Sequence, residues 1–192
     1  MIDFNKIIQE HFGQLTQHEL AIIHSFFKEE ELKKNDFFTK SDAFCDRVSL
    51  VESGILRIYA LADGKEITQW ISTEGFLVTE VMGFFFDQPN RWTIQALTDV
   101  RLLTISRKAY LELCKKFPKW NEIEKRFIVK CFAMLEDRVF THLSMTAEER
   151  YNVYFEQNKE LFRQVPLQYL ASVLGMTAET FSRIRKRQTD NS

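Results

Sequence analysis

The chain has 192 residues, 45% hydrophobic and 28% charged, which is globular rather than disordered composition and enough for one large domain or two modest ones. The net charge is −1, so any affinity for nucleic acid has to be local, and no run approaches the roughly 18 apolar residues of a membrane span. Three distant cysteines, Cys45, Cys114 and Cys131, fit neither a disulfide framework nor a CxxC metal site and read as reduced, buried thiols, while 18 phenylalanines call for a bulky core. The opening residues lack the basic-then-apolar pattern of a signal peptide. A cytoplasmic protein with no membrane partner is expected.

From residue 1 to about 30, Ile7, Ile8 and Phe12, then Leu20, Ile23 and Phe27, recur at helical spacing on either side of Gly13. Thr16 and Glu19 have the spacing of a capping box. From about 32 to 105 short runs rich in β-branched and aromatic residues alternate with turn signals, Ser53-Gly54 and Asp63-Gly64 among them. Leu56, Ile58 and Ala60 alternate with Arg57 and Tyr59, and Ile67, Gln69 and Ile71 alternate with Thr68 and Trp70, so Asp63-Gly64 predicts a hairpin. Further strands are expected at 92–97 and 100–105, giving an antiparallel sandwich or barrel.

Ser106 reads as the cap of a helix through Tyr110, Leu113, Cys114 and Phe117, which Pro118 ends while pre-setting the next. From Lys119 to about Leu143 no Gly or Pro interrupts, and Trp120, Ile123, Phe127, Cys131, Met134 and Arg138 follow a seven-residue rhythm widened by Ile128, Leu135 and Val139. Such a helix is either a buried core helix or a dimer seam; the regular stripe favours the seam. Thr146 with Glu149 then opens another helix, and everything beyond about 144 reads as helical apart from a short extended stretch near 161–165.

The most informative stretch is VPLQYLASVLGMTAETFSRIRKR, residues 165–187. Pro166 starts a helix, Leu170 and Leu174 form its apolar face, and small Ala171 lets a second helix pass closely. Gly175 supplies the left-handed turn, Met176 covers it, Thr177 caps the second helix, and Phe181 and Ile184 anchor that helix. Small residue, glycine and anchor at these offsets are the spacing of a helix-turn-helix, although a plain helical hairpin satisfies part of the pattern. Between 163 and 187 there are five basic residues and one acidic one, a local electrostatic footprint on a near-neutral chain.

Residues 165–187 resemble the DNA-recognition unit of the Crp/Fnr family, and the order β-domain, long helix, helix-turn-helix resembles that family over nearly the whole chain. The resemblance implies an α+β fold in three parts. These are a cyclic-nucleotide-binding-like antiparallel β-roll (jelly-roll-like) sensor over 1–118, a central dimerisation helix over 119–143, and a winged helix-turn-helix over 144–192. It further implies a homodimeric bacterial transcription regulator whose partners are double-stranded DNA, a small-molecule effector and RNA polymerase. Glu179-Thr180-Phe181-Ser182-Arg183 matches the family's Glu-Thr-x-x-Arg pattern, which assigns Glu179 and Arg183 to base readout. Thr177, Ala178, Thr180 and Ser182 share that surface, and Arg185, Lys186 and Arg187 lie at its phosphate-contacting end. Ala178 stands where the family often has Arg.

In cyclic-nucleotide-binding members a phosphate cassette reads Gly-Glu-Leu, a short helix, then Arg-Ser or Arg-Thr. The matching stretch here runs from Thr79 to Thr93 and keeps Glu80 and Arg91, with Val81 in the Leu position. Thr79 replaces the glycine and Trp92 the small hydroxyl residue, and both would crowd a cyclic phosphate. A Glu80–Arg91 ion pair across a remodelled pocket is therefore expected over cyclic AMP binding, with Thr79, Glu80, Val81, Arg91 and Trp92 as pocket residues if an effector does bind. No histidine lies between His24 and His142, which argues against haem and against a metal site on the strands. No catalytic motif is present, so no cofactor and no enzymatic activity are expected. A rival reading is a small-molecule sensor whose C-terminal helices contact a protein.

Overall fold

The computed structural model describes residues 8, 9 and 13–190; Ile7 and Phe12 of the expected N-terminal helix lie outside the described residues. The first capping box forms as its spacing predicts. Glu19 accepts the Thr16 amide N–H at 2.8 Å and Thr16 Oγ1 accepts that of Glu19 at 3.3 Å, opening α1 (Gln17–His24). The helix stops short of Phe27, and β1 (Lys28–Leu32) begins earlier than the expected onset near 32. Its sequence, Lys-Glu-Glu-Glu-Leu, conceals it: β1 is an edge strand in which only Leu32 is buried, so it carries charges where inner strands carry apolar residues.

The other strands are β2 (Phe37–Thr39), β3 (Arg47–Ser53), β4 (Leu56–Ala62), β5 (Lys65–Ser72), β6 (Leu77–Val78), β7 (Thr93–Ala96) and β8 (Val100–Ser106), with the short helix α2 (Val81–Phe86) between β6 and β7. They form two antiparallel sheets, in the orders β1-β8-β3-β6 and β2-β7-β4-β5. Val51 and Leu102 from the first sheet meet Leu56 and Ile94 from the second in a shared core. β3 and β8 are buried on both faces, since Leu50, Leu103 and Ile105 point the other way, into a cluster with Leu20, Ile23, Leu113 and Trp120. The result is the expected α+β fold with an antiparallel β-roll.

Asp63 and Gly64 both adopt positive φ, 51° and 73°, and join β4 to β5 by the two-residue turn predicted for Asp-Gly. The expected alternation does not continue through the hairpin. Ile58 pairs with Trp70 but Tyr59 pairs with Thr68, so Gln69 is an extra residue and β5 carries a bulge. Beyond it the faces exchange: Ile67 turns outward and Thr68 is buried.

Ser106 caps α3 (Arg107–Lys116) by accepting the Ala109 N–H, and after Pro118 the chain enters α4 (Lys119–Ser144), about 39 Å long at the usual rise. The six residues expected to form a dimer seam largely face the chain itself. Trp120 and Ile123 are buried in the cluster under α1, Phe127 packs against it, and Arg138 is bonded to carbonyls of β5 and of a later helix. Cys131 and Met134 remain exposed, so Cys131 is not the buried thiol expected. The seven-residue rhythm is real, but its inner face docks on the β-roll. The outward ridge is Ile128, Phe132, Leu135, Val139 and Leu143, the last 82% exposed.

The Thr146–Glu149 capping box opens α5 (Ala147–Gln157). It is followed by α6 (Leu161–Gln164), α7 (Leu167–Val173) and α8 (Ala178–Asp190). Residues 161–164 are thus a helical turn, and only Val165 is extended as expected. Among the described residues no strand follows Ser106, so the paired strands of a wing are not among them. None of the described helices is long and apolar enough to cross a membrane.

Candidate nucleic-acid interface

The turn between α7 and α8 is fixed by backbone chemistry. Gly175 (φ 65°) donates its N–H to the Ser172 carbonyl and Met176 donates to Ala171, each at 3.0 Å, the paired bonds of a Schellman motif. Only a residue that enters the left-handed region without strain suits position 175. Thr177 Oγ1 then accepts the Thr180 N–H at 3.1 Å and caps α8. Leu170, Ala171, Leu174, Phe181 and Ile184 are all buried, as their spacing predicts. Phe181 is fully enclosed, edge-on to Tyr151 at 5.0 Å between ring centroids and stacked on Phe162 at 5.7 Å.

With that side of α8 buried, the other is left to solvent. Thr177, Ala178, Glu179, Ser182, Arg183, Arg185, Lys186 and Arg187 are exposed, and Thr180 is half-buried with its hydroxyl oxygen accepting from Thr177 at 3.0 Å. Glu179, Arg183 and Lys186 fall at i, i+4 and i+7 on one face. Arg183 and Lys186 form no ion pair with any described residue. A helix presenting a carboxylate and a guanidinium near its start, with cations toward its end, has the chemistry to read base edges and then hold phosphates.

A feature that sequence reasoning missed fixes these helices against the β-roll. Arg57 lies in β4 and is 1% exposed, its Cζ 3.6 Å from the Tyr169 ring of α7 and 4.2 Å from that of Tyr59. Its Nε donates to Thr68 Oγ1 at 2.9 Å and its Nη1 pairs with Glu66 at 2.6 Å. Thr68, turned inward by the bulge, donates its N–H to Ser172 Oγ of α7 at 2.8 Å. Arg138 of α4 completes the junction by donating to Gln69 O and to Val173 O. The signal was an arginine inside the apolar run Ile55-Leu56-Arg57-Ile58, since a buried guanidinium requires partners on every side.

The cassette stretch is built differently. Glu80 is 1% exposed and caps α2: one carboxylate oxygen accepts the Gly83 N–H at 2.6 Å and the other the Arg91 N–H at 3.3 Å. The expected Glu80–Arg91 side-chain ion pair does not form, because the backbone of residue 91 takes the carboxylate while the guanidinium lies over the Trp92 ring at 4.8 Å. The Thr79 hydroxyl donates to Arg47 O at 2.9 Å, and Val81 is exposed. Buried Asn90 accepts the Cys45 N–H at 3.0 Å and donates to Thr39 and Lys40. A Cβ at Gly83 would come within 2.2 Å of that Asn90 oxygen, so this glycine is needed for close packing. Arg107 pairs with Asp87 at 2.7 Å and donates to the Cys45 and Gly83 carbonyls. Asn90 and Arg107 carried no sequence signal, because nothing local marks a residue whose partners are 20 to 62 positions away. Among the described residues no cluster of metal-ligating side chains occurs.

Comparison with known proteins agrees with this architecture. Residues 29–117 match the family profile described as "Cyclic nucleotide-binding domain". No curated protein matches the chain by sequence. Among solved structures, FixK2 from Bradyrhizobium japonicum is similar with a TM-score of 0.70 at 19% identity, over 86% of this chain and 85% of that one. The c-di-GMP responsive global regulator CLP from Xanthomonas campestris is similar at 0.68 and 16%, over 92% and 93%. The catabolite activator protein of Thermus thermophilus is similar at 0.58 and 23%, over 94% and 86%. At these identities the likeness shows a shared fold over most of each chain.

Proposed function

We propose that this chain is a sequence-specific DNA-binding transcription regulator of the Crp/Fnr type, acting as a homodimer and not governed by cyclic AMP. The observation that carries the reading is the outer face of α8, where Glu179 and Arg183 stand exposed one turn apart on a helix whose opposite side is anchored by Phe181 and Ile184. Glu accepts from cytosine N4 and Arg donates twice to guanine, while Arg185, Lys186 and Arg187 supply phosphate contacts. Two structural neighbours are by name an activator and a global regulator, and the likeness to each covers more than nine-tenths of this chain. The outer ridge of α4 provides the dimer seam, since Ile128, Phe132, Leu135, Val139 and Leu143 follow the three-and-four spacing of a coiled coil and stay exposed among the described residues. Two-fold symmetry would set the recognition helices about 34 Å apart, one turn of duplex. Independence from cyclic AMP is supported by Glu80, which is 1% exposed with each carboxylate oxygen already accepting a backbone N–H group, so it presents little surface to a ribose.

Binding-site selection from a randomised duplex pool tests the recognition face. Arg183→Ala should relax preference at one base pair and cost about 1–3 kcal/mol on the selected site, whereas Lys186→Ala should keep the consensus. The reverse pattern would misplace that face. Leu135→Glu with Val139→Glu should give monomers by light scattering, and an unchanged dimer mass would move the interface elsewhere.

A further inference from the structure

β5, α4, α5 and the end of α7 line a partly open cavity of about 410 Å³, within the range of small-molecule sites. It lies at the junction between the β-roll and the helix-turn-helix, away from the cassette. Trp70, Phe76, Tyr154 and Leu174 give it apolar walls. Two guanidiniums line it. Arg138 donates to the Gln69 and Val173 carbonyls, and Arg150 donates to Leu174 O at 3.0 Å and Met145 O at 2.8 Å. All four acceptors are neutral, and among the described residues neither guanidinium has a carboxylate partner. The one acidic residue of the lining, Asp137, is exposed at the rim and pairs with neither. Burial lowers the Arg138 pKa, the mark of a cation short of solvent and of counter-charge. Burial also raises Tyr154 to about 12, so its hydroxyl stays a hydrogen-bond donor near neutral pH.

We propose that this junction cavity is a binding site for a small organic anion, a carboxylate or sulfonate on an aromatic or branched apolar body. The anionic group would sit between Arg138 and Arg150, and the apolar body would lie against Trp70 and Phe76. Both guanidiniums already hold carbonyls at the end of α7, so an anion there touches the groups that set the pose of the helix-turn-helix. Its role as an effector site rests on the reading as a DNA-binding regulator; binding of the anion itself does not.

The test uses two fluorescent probes with the same rings, anilinonaphthalene sulfonate and the uncharged N-phenylnaphthylamine, titrated into the full chain without DNA. The sulfonate should saturate one site per chain and bind at least about tenfold tighter than the amine, the margin expected of one charge-assisted hydrogen bond. Val153→Trp, at an exposed lining position, should block the cavity and weaken the sulfonate by at least about tenfold, and Arg150→Gln should do so by a similar factor. Equal affinity of the two probes for the unmodified protein would overturn the proposal, as would unchanged sulfonate binding in a Val153→Trp protein that melts like the parent. The probe readout is independent of DNA, so failure of DNA binding and failure of this site are distinguishable.

Discussion

The outer face of α8 and the cassette around α2 carry similar residues, a glutamate and an arginine close together on or beside a helix, yet they use them in opposite ways. Glu80 is enclosed and both its oxygens accept backbone N–H groups, and Arg107 and Asn90 are likewise held by backbone and side-chain partners. Glu179 and Arg183 stand in solvent on the face opposite the core. Residue type and spacing are therefore a poor guide to a binding site until the hydrogen-bond partners are counted. A charged group held from within stabilises the fold, whereas one without internal partners is available to a ligand.

The contrast can be broken hardest at the frame of the recognition helix. Phe181→Ala removes a fully enclosed ring stacked among Tyr151 and Phe162 and should destabilise the C-terminal helices by about 3–5 kcal/mol, read by denaturant unfolding. A loss below about 1 kcal/mol would mean that α8 is held by something other than this core. Next in size is the cassette. Glu80→Ala leaves the buried Gly83 N–H and the partly buried Arg91 N–H without their charged acceptor and should cost about 2–3 kcal/mol of stability while leaving the selected DNA consensus unchanged. If that variant is as stable as the parent, the carboxylate is not structural and a ligand role reopens. Glu179→Gln should do the reverse, changing stability by less than about 0.5 kcal/mol while altering the preferred base pair.

How much of this was legible in the sequence follows the range of the interactions involved. Both capping boxes, the Asp63-Gly64 hairpin, the Gly175 turn and the anchors Phe181 and Ile184 depend on residues within a few positions of one another, and all were read correctly. The face of α4 that docks on the β-roll could not be read, because a seven-residue rhythm has the same form whether the stripe meets a partner or the chain's own sheet. β1 was obscured by its edge position, where charges replace apolar residues. For the Arg57 junction the one local signal is an arginine in an apolar run; its partners depend on a bulge at Gln69 that turns Thr68 inward and on Tyr169, more than 100 positions away, so no local pattern names them.

The smallest expected effect concerns the caps. Glu19 is held down at about 2, chiefly by the Lys119 ammonium and then by the Thr16 N–H, and Glu149 is lowered by the Thr146 N–H. A carboxylate whose pKa falls on folding adds stability above its unfolded value, near 4.5, and that stability disappears as the pH drops toward the folded value. Glu19→Gln should therefore flatten the stability curve between about pH 5 and pH 2 while leaving DNA preference unchanged. An identical acid limb in that variant would remove Glu19 from the acid-sensitive set.

The most direct test of the α8 face is the salt dependence of binding to duplex DNA by the full chain, measured by fluorescence anisotropy. The logarithm of the association constant should fall linearly with the logarithm of salt concentration, and Lys186→Ala should reduce that slope by about one. Binding that ignores salt, or a slope unaltered in Lys186→Ala and in Arg185→Ala alike, would contradict a DNA interface on this face.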